Sequence, residues 1–198
     1  MALMDRVKRV LLTPKQEWPV IDAEQASVGG LYTSYIIPLA AIGPIAMVIG
    51  SSVFGMNVPF VGSIKLPIGY ALRNAVISYV AGLVGVYVLA LIIDALAPTF
   101  GGQKNQVQAL KGAAYSYTAA WVAGVFLLIP LLGIIGLLVS LYSLYLLYVG
   151  LPIVMKAPPD KAVGYTVVVV LVAIVLWVVI GLITTQFAYR PMTGMPGL

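Results

Sequence analysis

The chain has no cysteine and no histidine. Without cysteine there is no disulfide, no thiol nucleophile and no cysteine-ligated metal. Without histidine the commonest general base and metal ligand is gone as well. Charge is scarce: Asp, Glu, Lys and Arg make up 9% of the 198 residues, against about 25% in an ordinary soluble domain. Only six of these are acids, and five of the six lie outside the apolar runs. This inventory yields no Ser-His-Asp set, no pair of carboxylates within one apolar run and no metal cluster. An enzyme is therefore not expected, and no catalytic residue, metal ligand or cofactor is assigned.

What the chain does contain is apolar side chains, 62% of the total, with a mean hydropathy of +1.06. Its solvent is lipid. Five runs, 31–54, 71–96, 113–129, 132–154 and 162–183, approach or exceed the roughly 20 residues that a bilayer crossing needs. Ala113 to Met155 carries no charge at all. As one helix it would be about 60 Å long, twice the hydrocarbon thickness, so it must fold back, and Pro130–Gly133 is the expected turn. Pro38 and Pro44 should kink the first span. Ala81 and Gly85 form a small-xxx-small step for close helix packing. Gly55–Gly69 is expected as a hairpin or short re-entrant loop, and the tail from Thr184, with Arg190, as loop.

Ahead of the spans, residues 1–13 read as an amphipathic helix lying at the membrane interface. Leu3, Met4, Val7, Val10 and Leu11 share one face, and Asp5, Arg6, Lys8 and Arg9 the other. Thr13-Pro14-Lys15-Gln16 reads as a fresh helix start with a capping box. Trp18 is expected at headgroup depth, and Pro19 to bend or end that helix. The expected architecture is an all-α polytopic transmembrane helical bundle of five spans, residues 31–188. A cytoplasmic interfacial segment, 1–30, precedes it and a tail, 189–198, follows.

The net charge of +5 comes from scattered bases that flank apolar runs. That is the pattern of membrane orientation and anionic-lipid contact rather than of nucleic-acid binding. With the N-terminus inside, Arg6, Lys8, Arg9, Lys15, Lys104, Lys111, Lys156 and Lys161 are cytoplasmic. Lys65, Arg73 and Arg190 are then outside. Eight against three places the N-terminus in and the C-terminus out, in agreement with an odd number of spans.

Polar chemistry gathers between Asp94 and Trp121. Asp94 is the one acid within an apolar segment. It reads either as a carboxylate paired with Lys104 or Lys111, or as a proton or cation site. Gly101-Gly102 before Lys104-Asn105 lacks the strand and spacing of a phosphate loop and reads as a turn. Lys104, Asn105, Gln108 and Lys111, with Arg6, Lys8 and Arg9, are the candidates for binding a partner or lipid. Tyr115, Thr118, Tyr142 and Tyr145 join Asp94 as a candidate ion or polar-network site. With Tyr117, Tyr148, Ser140 and Ser143, the tyrosines either line a polar cavity or hydrogen-bond between helices as packing.

Three stretches carry a family resemblance. One is Asp94, then Phe100-Gly101-Gly102, Lys104-Asn105, Gln108-Ala109, Lys111, Ala114-Tyr115-Ser116 and Thr118. A second runs from Tyr142-Ser143-Leu144-Tyr145-Leu146-Leu147-Tyr148 through Gly150-Leu151-Pro152, Met155-Lys156 and Pro159-Asp160-Lys161-Ala162 to Gly164-Tyr165-Thr166. The third is Leu12-Thr13-Pro14 with Glu17-Trp18. Together they resemble the bacterial branch of the YIP family, named for eukaryotic members that interact with Ypt and Rab GTPases. The resemblance implies a five-span helical membrane protein with a cytosolic N-terminus; for the eukaryotic relatives it implies a place in vesicle traffic and membrane shaping without enzymatic activity, and that function is not carried over here. The eukaryotic Gly-Tyr-x-x-x-Pro motif falls on Ala114-Tyr115 through Ala119 with both ends replaced, and the long acidic arm is absent, so GTPase partnership is not carried over.

The expected function is a non-enzymatic scaffold in the bacterial plasma membrane that binds partners or lipids. The alternative is a small transporter or channel built on Asp94. Expected partners are anionic lipids and a protein at the cytoplasmic face, with a homo-oligomer open and no nucleic acid.

Overall fold

A helical hairpin at the N-terminus packs into a bundle of long apolar helices. The computed structural model describes residues 2–58, 62–65 and 67–188. Helix α1 (Leu3–Leu12) turns through Thr13 into α2 (Pro14–Ala23). Pro14 opens α2, where its missing N–H costs nothing. The expected capping box does not form. Thr13 Oγ1 donates to the Arg9 carbonyl at 3.2 Å, tying the turn back to α1 instead. Pro19 lies in the first turns of α2, and the helix continues past it to Ala23.

Helix α3 (Val28–Phe54) follows. Ser27 caps it by accepting the Gly30 N–H at 3.0 Å. The proline distortions appear as expected, with an identifiable form. Pro38 has no N–H to offer, and the turn before it, Tyr32–Ile36, widens so that the Ile37 N–H reaches back five residues to the Tyr32 carbonyl. Ala41 interrupts the helix, and a second wide turn, Gly50–Phe54, ends it. The connection beyond is a short antiparallel hairpin of β1 (Met56–Val58) and β2 (Gly62–Ile64). Gly55 enters it at φ 81°, a conformation open to glycine.

Helix α4 (Ile68–Leu96) continues into a 3-10 turn at Ala97–Phe100. Helix α7 (Gly133–Val154) and helix α8 (Ala162–Ala188) complete the long elements. Among the described residues, four helical stretches suffice by length and composition to cross a membrane: Val28–Phe54, Ile68–Phe100, Gly133–Val154 and Pro159–Thr185. Their outward faces are apolar at helical spacing. Leu72, Val76, Val80 and Val84 lie exposed along α4, and Val163, Val167, Leu171, Ile174 and Val178 along α8. Helix α8 runs on through 184–188, where loop was expected; Arg190 and the tail 189–198 lie outside the described residues.

The run 113–129, expected as a plain third span, is built differently. Helix α5 (Gln106–Ser116) breaks at Tyr117, and α6 (Thr118–Ala123) passes into a 3-10 turn at Gly124–Leu128. A second turn at Pro130–Leu132 returns the chain, as the charge-free run required. Small residues explain the irregular path. A Cβ on Gly124 would stand 2.8 Å from the Gly43 Cα, so backbone meets backbone against α3. Residues 109–116 are all buried, which makes α5 the centre of the bundle.

Candidate functional site

The N-terminal hairpin is held by charge. Arg6 is buried, contrary to the expectation that it faces lipid headgroups. Arg6 Nη1 donates to Glu17 Oε1 at 2.5 Å, and Nη2 donates to Glu24 Oε1. Its guanidinium lies 5.8 Å from the centre of the Tyr115 ring, within cation–π range. The reason is rotational. Arg6 sits only about 40° round the helix from Val10, so a small turn of α1 buries Arg6, Val7 and Val10, leaves Leu3 half-buried and expels Met4. Met4 is 62% exposed. The pKa of Arg6 is raised. Burial, the largest influence, acts downward, and the Glu24 hydrogen bond with the neighbouring charges outweighs it.

Lys111 is buried too, and its ammonium closes the C-terminal end of α2. Nζ donates to the carbonyls of Ile21 at 2.8 Å, Asp22 at 3.4 Å and Glu24 at 2.5 Å. An ammonium has three N–H donors, and all three are used. Helix-end carbonyls lack intrahelical partners and carry the negative end of the dipole, so a cation there is stabilising. Burial lowers the Lys111 pKa, opposed by the Asp22 and Glu24 charges. Gln108 Nε2 donates to the Asp22 carbonyl at 3.0 Å, and Lys156 pairs with the Asp22 carboxylate. Helix α2 is thus tied to α5 and to the end of α7.

Aromatic packing completes the seat. Trp18, expected at headgroup depth, is fully buried. It meets Tyr115 edge-on, ring centres 6.3 Å apart, and lies flush on Gly150, where a Cβ would stand 2.2 Å from its ring. Tyr35 packs against Tyr115 with the rings tilted 53° and their centres 4.5 Å apart, and its hydroxyl lies 2.7 Å from Thr118 Oγ1, which donates to the Tyr115 carbonyl. Tyr115 and Thr118 therefore do share a network, centred on Arg6 and Tyr35.

The other candidates go elsewhere. The Tyr142 hydroxyl donates to the Leu11 carbonyl at 3.0 Å, holding the end of α1, and Tyr145 lies beside it, exposed. Asn105 caps α5 by accepting the Gln108 N–H at 3.1 Å. Lys8, Arg9 and Lys104 are exposed. Among the described residues Asp94 pairs with neither Lys104 nor Lys111, and its Oδ1 is buried without a hydrogen-bond partner. Of the lipid- or partner-binding candidates, Arg6, Gln108 and Lys111 thus serve the hairpin seat. Glu17, Glu24, Asp22 and Lys156 belong to that seat, and none of them is a site candidate from sequence, although Glu17 and Lys156 are among the residues that carry the family resemblance. The available signal was the seven-residue spacing of Glu17 and Glu24, which puts both on one side of α2, toward a buried base.

A bundle of long apolar helices, closed at one end by an ion-locked helical hairpin, defines a polytopic helical membrane protein. A Yip1 domain model matches residues 8–180, and the chain belongs to that family. The chain is similar to the inner membrane protein YohC of Escherichia coli K12, 28% identical over 129 residues. The match to its counterpart in Escherichia coli O6:H1 is the same. In both, the alignment covers 65% of this chain and 66% of the relative, just under two thirds. No solved structure matches.

Proposed function

We propose that this protein is a non-enzymatic scaffold of the bacterial inner membrane, with its N-terminus in the cytoplasm, that gathers anionic lipid around its N-terminal hairpin. One observation carries the reading. The ion-locked hairpin holds Lys8, Arg9 and Lys15 outward beside exposed Met4 and Leu12. Bases snorkelling beside apolar side chains suit a surface set at the level of acidic headgroups. Each base near such a surface contributes about 1 kcal/mol. Three together can favour anionic over zwitterionic lipid by tenfold or more. The test uses spin-labelled phosphatidylglycerol and phosphatidylcholine in bilayers holding the protein. Wild type should immobilise phosphatidylglycerol preferentially. Lys8→Gln/Arg9→Gln/Lys15→Gln should lose that preference while melting like wild type. Equal preference in both proteins sinks the reading.

A second reading rests on Asp94, whose buried Oδ1, without a hydrogen-bond partner among the described residues, suits a proton site. On that reading Asp94→Asn abolishes a proton or cation flux that wild type supports in liposomes. Absence of flux from wild type, or flux untouched by the substitution, counts against it.

A further inference from the structure

A cavity of about 490 Å³ lies where α4, the α5–α6 break, α7 and α8 meet, separate from the hairpin seat. Its walls are chiefly apolar, with Leu89, Leu147, Val170 and Ala173 at the back. Leu144, Ile174 and Val178 are lining residues that are also well exposed, on the outward faces of α7 and α8. Whatever enters between those helices comes from the hydrocarbon of the bilayer.

The polar groups of this cavity are the unusual part. Ser116 is 3% exposed, and its Oγ has no hydrogen-bond partner among the described residues. Ser143 Oγ accepts the Ala120 N–H at 3.1 Å, a donor freed by the helix break at Tyr117. The Tyr117 hydroxyl accepts the Trp177 indole N–H. Both hydroxyls are occupied as acceptors and keep a proton to donate. Three O–H groups therefore line one cavity with no acceptor bonded to them among the described residues, while Ser140, the fourth hydroxyl of the lining, spends its proton on the Leu137 carbonyl at 2.6 Å. A buried donor left without an acceptor is costly, so an occupant that brings an acceptor is favoured. Hydrocarbon alone would fill the space and leave the donors unmet.

Chemistry identifies the acceptor. Leu144, Ile174 and Val178 open the cavity toward the bilayer, so the occupant is a lipid chain. The acceptor-only group joined directly to such a chain in a membrane phospholipid is the ester carbonyl. We propose that the cavity binds one acyl chain of a membrane phospholipid, its ester carbonyl accepting hydrogen bonds from Ser116, Tyr117 and Ser143. Headgroup charge plays no part, so this site is independent of the basic hairpin surface and is tested with a zwitterionic lipid.

The probe is phosphatidylcholine with a photoactivatable diazirine on an ester-linked chain, compared with its ether-linked counterpart, in bilayers holding the full chain. Labelled positions are mapped by mass spectrometry. The ester probe should label Leu144, Leu147 and Ile174 well above the exposed control Val163. The ether probe, lacking the carbonyl, should label them about fivefold less, the worth of a typical net hydrogen bond. Ser116→Ala should shrink that ester-to-ether ratio, and Ala173→Phe should remove cavity labelling while sparing Val163. Labelling spread evenly over the exposed apolar faces overturns the proposal, as does an ester-to-ether ratio of one in wild type. Should Ala173→Phe fail to fold, Ser116→Ala decides, because its Oγ leaves no partner stranded. An unchanged ratio there also overturns the proposal.

Discussion

Arg6→Met is expected to unseat the N-terminal hairpin and to lower the melting temperature in detergent by roughly 10 °C. The cause is electrostatic. Arg6 and Glu17 side chains are 7% and 5% exposed, so neither has water to fall back on. Removing one partner of a buried pair leaves an uncompensated charge, at a cost of about 3–5 kcal/mol. In a chain of this size each kcal/mol is worth about 2–4 °C. Glu24 is 41% exposed and can rehydrate, so the damage concentrates on Glu17. It follows that Arg6→Met/Glu17→Leu should recover most of the loss, because an apolar pair of similar volume often replaces a buried ion pair without penalty. Melting of the three proteins checks both statements. Arg6→Met within 2 °C of wild type, or a double variant no better than the single, would show that the pair does not hold the hairpin.

Gly150→Ala should be as damaging, for a steric reason. The added Cβ would stand 2.2 Å from Trp18 Cε2 and Cζ2, and the indole is walled in by Tyr115 and cannot slide aside. Overpacking costs about 1–3 kcal/mol where neighbours can shift; here the ring must leave its seat, so the upper end is expected. Limited trypsin digestion reads the outcome, since Arg9 and Lys15 flank the α1–α2 turn. Gly150→Ala should release N-terminal fragments several times faster than wild type. Trp18→Leu/Gly150→Ala should restore protection, because the smaller side chain makes room. Gly82→Ala is the control: a Cβ there meets nothing within 4 Å, and its digestion should match wild type. Unchanged digestion of Gly150→Ala would mean that Trp18 does not seat the hairpin.

Both variants act on a feature that local pattern could not reveal. Amphipathic periodicity over residues 1–13 was legible and the helix is there. Which side of it meets the bundle was not, because apolar arcs on Leu3–Val10 and on Met4–Leu11 differ by a small rotation. Only Glu17 and Glu24, brought back by the turn at Thr13, decide that Arg6 goes inward. Trp18 shows the same limit. An indole next to charged residues suits headgroup depth equally well, and its burial depends on Gly150, 132 positions away, lacking a side chain. Lys111 reads locally as a loop base, yet its three donors are spent on carbonyls of α2.

Composition and run length were enough to determine that this chain lives in lipid as an all-α bundle, where its long apolar helices lie, and that Pro130–Gly133 must turn. These follow from solvation and from the fixed thickness of hydrocarbon, which act on each segment alone. The motif residues likewise placed the chain in its family. The tertiary structure decided the rest: the broken path of 106–128, the inward turn of Arg6, Lys111 and Trp18, and the cavity beside Ser116. Each depends on two surfaces meeting, on a glycine where a ring must lie or an acid where a buried base must end. Such pairings join residues far apart in the chain, so no single stretch of sequence carries them.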